Sequence, residues 1–158
     1  MKLEDKGYLL IKIVGKPAAQ GSKVRTRYGM KEASQFVAPW RNQIVSACIE
    51  QRINEGEMIT YPVRVDIRFQ FHRPKAHFGT GKNKCLVKSS APRFPSSKII
   101  GDIDKLCRST LDGLSVPSGG MLLEDDSLVV KLRASKTYIK KESETTHQGA
   151  WIRVSKLT

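Results

Sequence analysis

The sequence predicts one α+β domain, a small mixed β-sheet packed with two main helices. Three observations carry this. Period-2 or β-branched apolar runs occur at four places, residues 8–14, 62–71, 127–139 and 150–157. Apolar residues recur at helical spacing at two more, residues 34–54 and 102–114. The 158 residues contain no internal repeat, no low-complexity tract and no compositional boundary, so residues 1–158 are read as one domain.

Each element follows from its residues. Residues 8–14 are apolar and β-branched, and Gly15 ends them. The stretch 16–23 is a loop punctuated by Pro17 and Gly21; it lacks the spacing of a phosphate-binding P-loop. Ser34 is a candidate N-cap for the first helix, with Pro39 confined to its first turn. Trp40, Ile44, Val45, Cys48 and Ile53 fall on one apolar face of it. Residues 62–71 alternate cleanly, with Val63, Val65, Ile67, Phe69 and Phe71 on one side and Arg64, Asp66, Arg68 and Gln70 on the other. Residues 72–100 read as a long basic loop, and loops of that length in compact domains are usually functional or disordered. The second helix places Ile103, Leu106, Cys107, Thr110, Leu111 and Leu114 on its buried side. Pro117 to Gly120 make a turn, residues 127–139 form one strand or two, and Ile152 and Val154 pair in phase on the last strand.

Charge gives the first functional indication. The chain carries 28 Lys and Arg against 15 Asp and Glu, a net +13. Such an excess on a small domain fits a polyanionic partner. No apolar run approaches the ~18–20 residues that span a bilayer. The N-terminal residues lack the apolar core of a secretory signal, and the three cysteines, Cys48, Cys85 and Cys107, form no C-x-x-C pair. A cytoplasmic protein with reduced thiols and no membrane association is expected.

The charge is segregated. There is no acid between Asp5 and Glu32, nor between Asp66 and Asp102, where seven and eight bases fall. Residues 102–126 then hold six of the fifteen acids and two bases. A basic protein that gathers its carboxylates has there either a metal site or a solvated acidic face. Two clusters stand out. Asp102 and Asp104 open a helix, with Arg108 one turn beyond Asp104. Asp102 also suits an N-cap, a role that does not account for Asp104. The second cluster is Glu124-Asp125-Asp126-Ser127 at the entry to a strand. Crowded carboxylates need a proton or a cation, and hard oxygen ligands suit Mg²⁺, with Mn²⁺ as an alternative. Such an ion activates water and polarises a phosphodiester, and Arg108 could neutralise phosphate charge beside it. The histidines, His72, His77 and His147, form no ligand pattern.

These residues resemble a family. Asp102-Ile103-Asp104-Lys105-Leu106-Cys107-Arg108, continuing to Leu114, and then Glu124-Asp125-Asp126-Ser127-Leu128-Val129 are similar to the core of RusA-type Holliday junction resolvases. Gly15 to Lys23 and Arg73 to Gly81 are similar to phage-encoded members. The resemblance runs from about Leu10 to Val154. It implies a small, basic, homodimeric, Mg²⁺-dependent endonuclease of DNA recombination and repair that nicks two strands of a four-way junction symmetrically. It maps the metal carboxylates onto Asp102, Asp104 and Asp126, with Asp125 beside them. The family pattern has Lys where this chain has Arg108, which keeps the charge but cannot exchange a proton near neutral pH.

Two active sites in one particle are what a symmetric dimer supplies. Candidate DNA contacts in the acid-poor stretches are Lys23, Arg25, Arg73, Lys75, Lys82, Lys84, Arg93 and Lys98. Ile99 and Ile100, beside the carboxylates, would be buried in a dimer core or press against unstacked bases. The competing readings are a non-catalytic nucleic-acid-binding module and a nuclease for forks or flaps.

Overall fold

A computed structural model of the chain describes residues 1–21, 23–32, 34–140 and 147–158. In chain order the elements are α1 (Leu3–Lys6), β1 (Tyr8–Val14), β2 (Lys23–Thr26), β3 (Gly29–Glu32), α2 (Val37–Glu50), β4 (Val63–Phe71), α3 (Ile103–Leu114), β5 (Val129–Tyr138) and β6 (Gly149–Lys156). Four strands form a mixed sheet in the order β1-β6-β4-β5. The β1–β6 and β6–β4 pairs are antiparallel and β4–β5 is parallel. The parallel pair requires a crossover, and α3 lies within it. The fold class is therefore α+β, with a mixed sheet and three helices, two of them substantial.

One side of the sheet is the core. Ile11, Val65, Ile67, Phe69, Ile152 and Val154 meet Trp40, Ile44, Leu106 and Leu114 from α2 and α3 in a single buried cluster. The two helices approach closely at Gly113, where a Cβ would stand 2.7 Å from Ile44 Cδ1. Trp40 Nε1 donates to Thr110 Oγ1 at 3.0 Å, and Arg41 pairs with Asp112 at 2.6 Å. Asp112 thus ties α2 to α3. All three thiols are free; burial pushes Cys48 and Cys107 up to about 11, while Cys85 is exposed.

Several expectations change. The first helix is shorter than residues 34–54, and Ser34 is not its N-cap. Phe36 holds that position without a side-chain cap. Ser34 Oγ instead accepts the Phe36 amide at 3.4 Å, a local turn outside the helix. The far end stops at Glu50, because Arg52, Asn54 and Glu55 take positive φ. Ile103 is 38% exposed rather than buried. Residues 127–139 hold one strand, preceded by a 3₁₀ turn at Asp126–Leu128. The β2–β3 hairpin is additional. Residues 72–100 remain a loop, folded back on itself by short 3₁₀ turns and a Phe78–Val87 bridge.

Candidate active site

The N-terminus of α3 carries the first carboxylate pair. Gly101 takes φ +95°, and a Cβ there would stand 2.5 Å from Ala19 Cβ, so the turn into the helix needs glycine. Asp102 occupies the N-cap position in extended backbone, but its side chain makes no capping bond. It pairs with Lys105 at 3.0 Å. That pair raises the Lys105 ammonium above its ordinary range, and both side chains stand in water, where an ion pair contributes little. Asp104 is exposed in the first turn, where the helix dipole favours a carboxylate. Neither Asp104 nor Arg108, also exposed, has a salt-bridge partner among the described residues.

The loop before β2 supports this turn rather than standing free. Ser109 Oγ donates to the Ala18 carbonyl, and the Gln20 amide donates to the Lys105 carbonyl at 3.1 Å. Gln20 is 8% exposed, and its Oε1 has no hydrogen-bond partner among the described residues. Ser22, read in the same stretch, lies outside the described residues.

The second cluster is placed by a buried anchor. Leu122 and Leu123 are in the core, and the Glu124 amide donates to the Ile59 carbonyl at 3.0 Å. Asp125 Oδ1 accepts the Ser127 amide at 2.9 Å. The Ser127 hydroxyl and amide hold the Asp125 carboxyl below the usual carboxylate range. Asp126 opens the 3₁₀ turn and is exposed.

The two clusters are not brought together within one chain. Lys136 Nζ donates to the Gly101 carbonyl at 2.9 Å, which fixes the start of α3 beside the far end of β5. The turn holding Asp126 precedes the near end of β5. From Val129 to Lys136 an extended strand covers about 23 Å, and the twelve residues of α3 cover about 18 Å in the opposite sense, because the Leu122 and Leu123 amides donate to the Leu114 carbonyl at the far end of α3 at 3.0 and 2.9 Å. Asp126 therefore lies toward the C-terminal end of α3, whereas Asp102 and Asp104 lie at its N-terminus. Consistently, among the described residues no three His, Cys, Asp or Glu side chains are grouped closely enough to hold a metal ion.

The donor chemistry at the α3 N-terminus still fits a hard divalent cation. Two exposed carboxylates, with the orphaned amide oxygen of Gln20 on the adjoining loop, are all oxygen donors. Mg²⁺ is commonly held by one or two carboxylates, with waters and substrate phosphates filling the remaining positions.

Basic residues border this end of the domain. The Arg73 guanidinium stacks 4.3 Å from the Tyr138 ring centroid and donates to the Pro92 carbonyl at 2.8 Å, so it fastens the 72–100 loop to the end of β5. Lys75, Lys82, Lys84, Arg93 and Lys98 are exposed along that loop. Arg25 is exposed on β2; the side chain of Lys23 lies outside the described residues. Ile99 is 91% exposed, while Ile100 packs partly on the core.

Lys136 is the residue that sequence reasoning missed. Its signal was a lysine in phase with Leu132, Ala134 and Tyr138 on the helix-facing side of β5. Lys136→Met keeps the aliphatic stem and removes the bond to Gly101. The catalytic rate at saturating substrate is expected to fall about tenfold, the equivalent of one such bond. Substrate affinity should hold, and Lys136→Arg should recover part of the rate. A rate unchanged in the Met variant would show that this tether does not position Asp102.

A family model described as Endodeoxyribonuclease RusA matches residues 11–146. No curated protein matches the chain.

Proposed function

The chain belongs to the endodeoxyribonuclease RusA family, and from that premise we propose that it is a Mg²⁺-dependent endonuclease that resolves four-way DNA junctions by paired, symmetric nicks. The observation that carries this reading is the pair of exposed carboxylates on the first turn of α3, held by Gly101 and Lys136 and bordered by a basic loop. Asp102 and Asp104 would hold the cation. When bound, the cation supplies a polarised phosphate and an activated water. Arg108, one turn along α3, would hold the scissile phosphate and offset its growing negative charge. It acts by charge and not by proton transfer, since a guanidinium stays protonated.

A homodimer is part of the proposal. Cutting two strands requires two sites related by symmetry. The distance between Asp126 and the α3 N-terminus supports it as well, because a third carboxylate at that N-terminus would have to come from another copy. The basic side chains of the loop and hairpin would gather the DNA by its phosphates, with affinity falling steeply as salt rises. Among the described residues no helix is long and apolar enough to cross a membrane. The proposed setting is the cytoplasm, in DNA recombination and repair.

Parallel digestion of a four-way junction, a fork, a flap and a linear duplex tests substrate choice. The junction should be cut fastest, and sedimentation should give twice 17.7 kDa at assay concentrations. Faster cutting of forks or flaps would move the reading to another branched substrate. No cutting of any of them would leave a binding module.

A further inference from the structure

The side of the sheet away from α2 and α3 is open, and its chemistry is not that of an ordinary solvated face. The register brings four rows across the strands there. Tyr8, Ser155, Arg64 and Lys131 form one, and Leu10, Arg153, Asp66 and Arg133 the next. Then come Lys12, Trp151, Arg68 and Ser135, followed by Val14, Gly149, Gln70 and Thr137. Apart from Gly149, no member of these rows is buried. Six are cations, and Asp66 is the lone carboxylate, already held by Arg64 at 2.8 Å. The centre is a shallow hollow of about 630 Å³ walled by Arg64, Arg68, Arg133, Arg153 and Trp151. Aromatic faces steady two of the cations: the Arg153 guanidinium lies 4.5 Å from the Tyr8 ring centroid, and Lys12 Nζ lies 5.5 Å from that of Trp151.

We infer that this open sheet face is a second DNA-contact surface, which holds the phosphate backbone of a duplex arm while the α3 side engages the strand to be cut. This inference rests on the nuclease reading above. Charge complementarity selects the occupant. Six cations with one neutralised carboxylate repel a second copy of the same face, so a symmetric interface between copies is disfavoured there. A regular polyanion relieves the repulsion and releases its counterions. The half-exposed Trp151 and Tyr8 rings keep the long cationic side chains extended over the sheet, which lowers the ordering cost of binding. These cations lie on the sheet face opposite the one that packs α3, so the surface adds affinity without entering the chemistry.

The test uses the full chain with a four-way junction in EDTA, so that binding is read without cleavage. Arg133→Gln with Arg153→Gln is expected to weaken junction affinity at least tenfold. It should also lower the slope of log affinity against log salt by nearly two, one counterion set for each lost contact. The single nick rate at saturating junction and Mg²⁺ should stay unchanged, and the double Lys variant should restore the slope. If the double Gln variant folds poorly by circular dichroism, Lys131→Gln, on the exposed edge strand, should lower the slope by nearly one. An unchanged slope overturns the inference. So does a slope change accompanied by loss of the dimer in sedimentation, which would make the face an interface between copies. Loss of binding to phosphatidylserine vesicles with DNA affinity intact also overturns it. The binding result stands whether or not the wild-type chain cleaves, so its failure is separate from failure of the nuclease proposal.

Discussion

Asp104→Asn is expected to lower junction cleavage by on the order of 10²–10³ while leaving junction affinity within about twofold. The size follows from removing charge at the place where a cation and a developing oxyanion would be stabilised. The change keeps the side-chain shape. Asp104 is exposed and lacks a salt-bridge partner among the described residues, so the fold loses only the favourable meeting of an acid with the α3 N-terminus. That is about 1 kcal/mol at most, a few degrees in melting temperature for a chain of this size. The activity loss therefore exceeds anything unfolding could cause. A gel-shift titration beside a single-turnover assay reads both quantities. Retained cleavage in the Asn variant would remove Asp104 from the site.

Trp40→Ala is expected to give the largest loss of stability, about 3–5 kcal/mol in urea denaturation. Trp40 is 1% exposed on α2, and its indole N–H is bonded to Thr110 on α3. The substitution leaves a cavity and also strips Thr110 of that donor. Against a total stability of about 5–15 kcal/mol this is a large fraction. Trp40→Phe separates the two effects, since it keeps most of the ring and loses the hydrogen bond, at a cost of about 1–2 kcal/mol. A loss below 1 kcal/mol for the Ala variant would mean that α2 and α3 are not joined through this residue. The consequence reaches the site, because α3 is the element that presents Asp102, Asp104 and Arg108.

What could be read from the chain was what local periodicity encodes. The alternation of residues 62–71 is visible because β4 buries one face and wets the other. The α3 stripe is visible because Leu106, Cys107, Thr110 and Leu114 turn inward every three or four residues. The β2–β3 hairpin was invisible because its described side chains, Val24 and Met30 among them, contribute nothing to the core cluster and so carry no apolar pattern. Its turn is closed by Thr26 Oγ1 on the Gly29 carbonyl, a bond that composition does not announce. Ser34 suits a cap by type, yet the helix begins after Phe36, where packing of Val37 and Trp40 sets the start.

The candidate site divides along the same line. Asp102, Asp104 and Arg108 share one helix end and are close by sequence spacing alone. Asp126 follows only 22 positions after Asp104, and that short interval conceals a rigid helix that carries the chain away from the first cluster. The support from Lys136 and Gln20 is tertiary: each reaches α3 from an element far off in sequence. Arg73, chosen for its charge, is occupied by Tyr138 and the Pro92 carbonyl, which no count of bases reveals.

The most direct measurement of the central claim is a nick map on a four-way junction labelled on each strand in turn, with Mg²⁺ and with EDTA. Nicks are expected in two strands of like polarity, at positions related by the symmetry of the junction, and only with the cation present. Nicks that persist in EDTA, that fall on a single strand, or that never appear while the junction is bound would contradict it.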